Sequence, residues 1–134
     1  MDIKYNDATN NRPWGERPID APVIPIDITA YIQQLMLEES WQKNDRNAIT
    51  LYKTENITLT LVAFHKGAEL RPGDAYNSGL LMLQVIDGQM VVKSGIDALE
   101  INKGQMVTIH EQVPYSAAAA AESICLLTVL QTAK

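Results

Sequence analysis

The stretch GAELRPGDAYNSGLLMLQVIDG, which runs from Gly67 to Gly88, decides the fold of this chain. It starts with a glycine, passes through a polar segment without periodicity, and becomes an apolar run that closes at Asp87-Gly88. A short apolar run bounded by turn residues is typical of a β-strand, and an Asp-Gly pair between two such runs favours a tight hairpin. The stretch therefore predicts a strand over 80–86 and a hairpin to a second strand over 89–93.

Short apolar runs of the same kind fill the chain from residue 48 onward. Besides the two strands above, the predicted strands are 48–54, 57–64, 97–101, 105–110 and 123–130. Glu55-Asn56 fits a two-residue turn between the first two of these strands. Many short strands separated by turn residues favour an all-β fold, either a sandwich or a small barrel.

The alanine run 117–121 admits two interpretations. Alanine is the best helix former, which favours a short helix. The run is short, however, because it lies between Pro114 and the strand that begins at Ser123. Small side chains also suit a strand that faces a crowded interior. We predict a strand here and keep the short helix as the alternative.

The N-terminal third differs from the rest of the chain. Four prolines within residues 1–26 predict an extended arm, in which the alternation over 19–26 would suit an edge strand. Asp27 is a good helix N-cap, and apolar residues then recur at helical spacing, which predicts one amphipathic helix over about 28–39. We therefore divide the chain into an arm (1–26), a helix and connection packed on the barrel (27–47) and the barrel itself (48–134).

Composition narrows the class of protein. The chain has 134 residues, 46% hydrophobic and 20% charged, which is typical of one globular domain. Its formal net charge is -5 and no Lys/Arg cluster occurs, so we expect no nucleic-acid partner. No apolar run is long enough to cross a bilayer and no secretion signal is present, so we expect no membrane partner and a cytoplasmic location. The single cysteine, Cys125, lies in an apolar run and is predicted to be a core residue.

Several segments in a fixed order resemble the two motifs of the cupin superfamily. The matching segments are Gly67-Ala68-Glu69-Leu70, Leu83-Gln84-Val85-Ile86-Asp87-Gly88, Asn102-Lys103-Gly104-Gln105 and Val113-Pro114-Tyr115. Further segments are similar to small single-domain bacterial cupins: Trp41, Asp45-Arg46-Asn47-Ala48, His65-Lys66-Gly67 and Ser123-Ile124-Cys125-Leu126-Leu127-Thr128. The resemblance implies a double-stranded β-helix, a jelly-roll-like barrel that is commonly a homodimer and holds a metal through histidines and a Glu or Gln.

This chain lacks the histidines that bind the metal in the cupin motifs. The loop that would hold histidines offers only Asp74, Gln84 stands at the Glu or Gln position, and Tyr115 stands where the second motif has its histidine. A transition metal in such a barrel needs two or three imidazole or carboxylate donors, for which glutamine and tyrosine are weak substitutes. We expect no bound metal and no other cofactor.

A ligand pocket inside the barrel is the predicted site. If Met82, Gln84 and Ile86 face inward by strand alternation, Gln84 projects into the cavity, and Tyr115 should point toward the same space. His110, at the end of a strand, lies near the barrel mouth. The predicted pocket comprises Gln84, Tyr115, Met82, His110, Asp74 and Tyr76. For each, a structural role is the alternative: a hydrogen-bonded core amide, a ring that fills the former metal volume, or a histidine that caps a strand end.

Three functions stay open on the sequence. The first is a cupin that binds a small molecule in its pocket without catalysis, with no catalytic residue assigned. The second is an enzyme with an altered site, such as an isomerase or dioxygenase, using a metal held by His110, Asp74 and Gln84 or an acid/base pair of His110 and Tyr115. The third is a structural or regulatory dimeric module whose arm and helix bind a partner.

Overall fold

Strands make up most of the chain after Arg46, and two helices precede them. The computed structural model describes residues 17–72 and 79–131, together with the backbone of residues 4–6. The elements are β1 (Lys4–Asn6), β2 (Arg17–Asp20), α1 (Ile28–Leu37), α2 (Glu39–Lys43), β3 (Arg46–Lys53), β4 (Ile57–Phe64), β5 (Glu69–Leu70), β6 (Leu80–Asp87), β7 (Gln89–Ser94), β8 (Asp97–Asn102), β9 (Met106–Ile109), β10 (Ser116–Ala119) and β11 (Ser123–Leu130).

Two antiparallel sheets form the barrel. The larger has the strand order β3-β4-β11-β6-β9, and the smaller has the order β5-β10-β7-β8. In the larger sheet Leu130 lies opposite both Ile57 and Leu80, and Lys53 lies opposite Thr58. These four strand termini therefore lie at one end of the barrel, which we call the hairpin end because it carries the β3–β4 turn.

The space between the sheets is filled by an apolar interior cluster. Alternate residues of β6 and β11 supply much of it: Leu81, Leu83, Val85, Cys125, Leu127 and Val129. The smaller sheet adds Val92 and Ala117, which pair across β7 and β10. Side chains of a strand point alternately to its two faces, so burying every second residue fixes the register of each strand.

An outer cluster covers the opposite face of the larger sheet. Helix α1 packs there against Ile49, Leu61 and Ala63 with its own Leu35, which is completely buried. Asp27 caps α1, because its carboxylate accepts a 3.0 Å hydrogen bond from the amide of Ala30. The predicted cap and the predicted packing of an amphipathic helix on the barrel are confirmed.

Polar groups join the helices to the barrel at two places. The buried Asn47 side chain donates 3.0 Å hydrogen bonds to the carbonyl of Leu35 and to the carboxylate of Glu38. The His65 ring stacks on Trp41 with a centroid distance of 3.5 Å, and its Nε2 lies 2.7 Å from the Trp41 carbonyl oxygen. Since a carbonyl only accepts, Nε2 carries the proton and donates it. His65 thus connects α2 to the barrel through a ring contact and a hydrogen bond.

The all-β prediction is confirmed, and the alanine run is the strand β10 followed by a turn. The predicted edge strand over 19–26 is wrong. The strand is β2, which ends at Asp20 and pairs with β1, and residues 21–27 have no regular secondary structure. Pro22 and Pro25 lack the amide hydrogen that a ladder requires, which explains why pairing stops before them. In the described part of the chain no helix is long and apolar enough to span a bilayer.

Gly88 permits the turn between β6 and β7 to lie against the start of β11. Its φ angle is 89°, and a Cβ built there would overlap the Glu122 carbonyl oxygen and the Ser123 hydroxyl and lie 2.7 Å from the Ser123 Cα. The Ser123 hydroxyl accepts a hydrogen bond from the Gln89 amide and shares its own hydrogen between the carbonyl oxygens of Gln89 and Ala121. The two sheets are joined here by close backbone contact.

Replacing Gly88 should therefore destabilise the fold by more than the backbone strain that a side chain causes at a positive φ angle. We expect Gly88→Ala to lower the free energy of unfolding by about 1–3 kcal/mol beyond the loss in Gly95→Ala. Gly95 is the matched control, since its φ is 63° and nothing lies within 4 Å of a Cβ there. Urea denaturation of both variants measures the difference, and equal losses would contradict the close contact.

Candidate functional site

An open cavity of about 400 Å³ lies at the hairpin end of the barrel. We call it the hairpin cavity. Its lining residues come from β2, the β3–β4 hairpin and the segment after β11: Ile19, Lys53, Thr54, Glu55, Thr58 and Gln131. Its volume falls within the range of small-molecule sites, roughly 300–1,000 Å³.

The β3–β4 turn is held rigidly against the end of β11. Thr54 Oγ1 accepts the amides of Asn56 at 3.2 Å and Ile57 at 3.1 Å, and the Thr54 amide donates to the Ile57 carbonyl at 2.8 Å. The Gln131 amide donates to the Asn56 carbonyl at 2.7 Å. This network confirms the predicted two-residue turn and fixes one wall of the cavity.

The wall opposite the turn comes from outside the barrel. Ile19 on β2 is only 8% exposed, and Arg17 on the same strand donates to the carbonyl of Thr50. The β3–β4 pairing slips between Thr50 and Tyr52, so the ladder is irregular at this point. An irregular ladder leaves a carbonyl available, and Arg17 uses it to attach β2 to the barrel.

Two threonines of β4, Thr58 and Thr60, lie on the strand face that points into the barrel, and the first of them lines the cavity. Thr58 lines the cavity, and Thr60 lies on the same face about 7 Å deeper along the strand. Thr60 is 2% exposed, and its hydroxyl has no hydrogen-bond partner within the ranges 17–72 and 79–131. A buried hydroxyl without a partner is unfavourable, so Thr60 marks a polar position beneath the cavity floor.

The predicted inward orientation of Gln84 and Met82 is wrong. Leu81, Leu83 and Val85 belong to the interior cluster, so the residues between them face outward. Gln84 lies opposite Leu126, whose side chain packs on the outer cluster. The apolar run 80–86 has hydrophobic residues at both sets of alternate positions, so the sequence alone does not show which set faces inward. A pocket inside the barrel therefore cannot include Gln84 or Met82.

Tyr115 and His110 lie on the loop that leaves the hairpin end after β9. Ile109 pairs with Leu81, which places the start of this loop at that end. Tyr115 is half-buried and packs against the interior cluster, whereas His110 is exposed. The structure therefore separates Tyr115, inside, from Gln84, outside. The roles of Tyr115 and His110 in ligand binding stay predictions.

Asp74 and Tyr76, the remaining predicted pocket residues, lie outside the described residues. Within the described ranges no three His, Cys, Asp or Glu side chains come together as a metal site would require. The absence of a metal and of any cofactor stays a prediction, because the loop that carries Asp74 belongs to the undescribed part.

A charged pair, Asp45 and Arg46, lies at the end of the barrel opposite the hairpin cavity. Arg46 donates to Asp45 at 2.9 Å, and its guanidinium lies 5.2 Å from the centroid of the Phe64 ring. The hydrogen bond from Arg46 lowers the pKa of Asp45. Because Arg46 begins β3 and Phe64 ends β4, these contacts hold the strand ends together.

Solved structures show what this architecture is similar to. A conserved protein of unknown function from Streptococcus pyogenes is 19% identical, with 96% of this chain and 98% of that one covered and a TM-score of 0.63. A cupin superfamily protein from Desulfitobacterium hafniense is 12% identical, covers 66% and 80%, and has a TM-score of 0.60. A cupin-2 domain protein from Shewanella frigidimarina is 12% identical, covers 79% and 94%, and has a TM-score of 0.59.

These similarities define the fold. The chain has the cupin fold, a barrel of two antiparallel sheets, as the motif resemblance implied. No family model matches the sequence, and no curated protein matches it either. At these identities a shared fold does not identify a substrate or an activity. The function is therefore inferred from this chain's own residues.

The two buried hydroxyls of the barrel should respond oppositely to removal. Thr60→Val removes a hydroxyl that lacks a partner, so we expect unchanged stability or a gain of about 1 kcal/mol. Ser123→Ala removes a hydroxyl that accepts a hydrogen bond from the Gln89 amide and donates its one hydrogen to the carbonyl oxygens of Gln89 and Ala121, and should cost about 1–3 kcal/mol. Thermal unfolding of both variants tests this, and a clear loss in Thr60→Val would show that its hydroxyl is satisfied.

Cys125 should be inert in the folded protein. It is completely buried, and desolvation raises the pKa of its thiol to about 12 from 9.0. The thiolate is the reactive form, so a disulfide reagent applied below pH 9.0 should label Cys125 only after unfolding. Because the unfolded thiol ionises first, this residue's contribution to stability is complete below 9.0 and declines as the pH rises toward 12. Rapid labelling of folded protein would contradict its burial.

Proposed function

We propose that this chain is a non-catalytic cupin barrel that binds a small molecule in the hairpin cavity. The observation that carries the proposal is the cavity itself, about 400 Å³ in volume and lined by one apolar side chain together with charged, hydroxyl and amide groups. Such sites combine apolar surface with a few polar groups that orient the ligand.

The position of the cavity supports this proposal. It lies where three separate segments meet: β2, the β3–β4 hairpin and the residues after β11. The hairpin wall is fixed by backbone hydrogen bonds, so the cavity is formed before a ligand arrives, and preorganisation reduces the loss of conformational entropy on binding.

The interior of the barrel is a poorer location for the ligand. Among the described residues, the inward-facing side chains of β6, β7, β10 and β11 form one continuous buried cluster. A ligand there would have to displace packed side chains, and interiors are packed to nearly crystalline density. The expected homodimer and cytoplasmic location have no bearing on this choice and stay predictions.

Chemical-shift mapping tests the proposal. A fragment library of neutral, anionic, cationic and zwitterionic compounds is added to isotope-labelled full-length protein. We expect at least one compound to shift the amide resonances of Thr54, Thr58 and Gln131. Shifts confined to the barrel interior or the outer sheet face, or no shifts at all, would contradict the proposal.

A cavity-filling variant sharpens the test. Thr58→Phe places a ring in the cavity and should weaken the mapped compound by roughly tenfold or more. Thr108→Phe is the matched control, because Thr108 is exposed on β9 and lies opposite the outward-facing Met82. Equal affinities of Thr58→Phe and the unmodified protein would place the binding site elsewhere.

A further inference from the structure

The hairpin cavity carries two opposite charges that have no partners among the residues that the structure describes. Lys53 and Glu55 both line it, and both are exposed. Within residues 17–72 and 79–131 neither forms an ion pair or a side-chain hydrogen bond, with each other or with a third residue. Other described charges close in sequence do pair, as Glu69 and Arg71 do at 2.6 Å.

The hairpin backbone holds the two residues that carry these charges in fixed relative positions. Lys53 is the last residue of β3 and lies opposite Thr58 in the ladder, so its side chain leaves the same face as Thr58. Glu55 is the first residue of the two-residue turn that Thr54 Oγ1 stabilises. Both charged groups therefore extend from a rigid hairpin over one opening.

The rest of the lining is apolar or uncharged. Ile19 closes one side and is nearly buried, and the half-buried Thr58 carries a hydroxyl without a hydrogen bond in the described part of the chain. An aliphatic group between Ile19 and the Thr58 methyl group would be removed from water at roughly 25 cal/mol per Å².

We propose that the ligand of the hairpin cavity is a small zwitterion with an aliphatic side group, of the class of the α-amino acids. Its carboxylate pairs with the Lys53 ammonium, its ammonium pairs with the Glu55 carboxylate, and its aliphatic group lies against Ile19 and Thr58. This inference rests on the proposed function and names the ligand class of that same site.

Two exposed charges give selectivity rather than high affinity. Each ion pair with an exposed side chain contributes little and is screened by salt. A ligand that carries only one charge satisfies one side chain and leaves the other without a partner. Discrimination between zwitterion and singly charged analogue therefore comes from the second pair.

Three probes that share one branched aliphatic group separate these contributions: leucine, 3-methylbutylamine, which is leucine without the carboxylate, and 4-methylpentanoate, which is leucine without the ammonium. Dissociation constants are obtained by titration against the full chain at low salt, followed by the amide resonances of the cavity residues. We expect leucine to bind about fivefold more tightly than either analogue and to lose this advantage at high salt.

Charge-removing variants assign each end of the ligand. Lys53→Met should weaken the binding of leucine and 4-methylpentanoate by about fivefold and leave that of 3-methylbutylamine unchanged. Glu55→Gln should weaken the binding of leucine and 3-methylbutylamine by a similar factor and leave that of 4-methylpentanoate unchanged. Lys66→Met and Glu100→Gln make the same chemical changes at exposed positions outside the cavity lining and should alter none of the three affinities.

The outcomes separate this inference from the proposed function. If an analogue or a neutral fragment binds in the cavity as tightly as leucine, the zwitterion class is wrong and the cavity is still a binding site. If no fragment shifts the cavity resonances, both are wrong. Equal effects of the cavity variants and the control variants would also overturn the assignment of Lys53 and Glu55.

Discussion

The larger sheet packs apolar side chains on both of its faces, and the rest of the structure depends on this constraint. One face lies against the smaller sheet and the other lies partly beneath α1. A shift of one residue in β6 would exchange Leu83 with Gln84 and place an amide in the barrel interior. The register is therefore fixed by burial, and it decides which polar residues can reach a ligand.

The strands could be predicted because their lengths and turns are local properties. The Asp87-Gly88 turn, the Glu55-Asn56 turn and the Asp27 cap each follow from residue types at adjacent positions. Which face of β6 points inward could not be predicted, since both sets of alternate residues in the run 80–86 are largely apolar and packing against the smaller sheet settles the choice. Strand β2 was misplaced because the prolines after it obscured a short pairing with β1.

The candidate site was missed for a related reason. Its lining residues are far apart in sequence, and no motif joins Ile19 to the β3–β4 hairpin. One signal was present in the strand ITLTLVAF, where Thr58 and Thr60 alternate with leucines that pack under the helix. Threonine at inward positions of an otherwise apolar strand indicates where a barrel interior becomes polar. The motif positions instead predicted one pocket lined by Gln84 and Tyr115. In the structure these two side chains lie on opposite sides of the larger sheet.

The orientation of Gln84 tests the central claim most directly, because a shift in the register of β6 would turn this side chain into the barrel interior. Nuclear Overhauser contacts of the Gln84 side-chain amide can be measured in protein with labelled methyl groups. The register predicts contacts to the methyl groups of Leu126 and Met106, the residues that lie opposite Gln84 on β11 and β9. Contacts to Val92 or to the Tyr115 ring would place Gln84 inside the barrel and contradict this account.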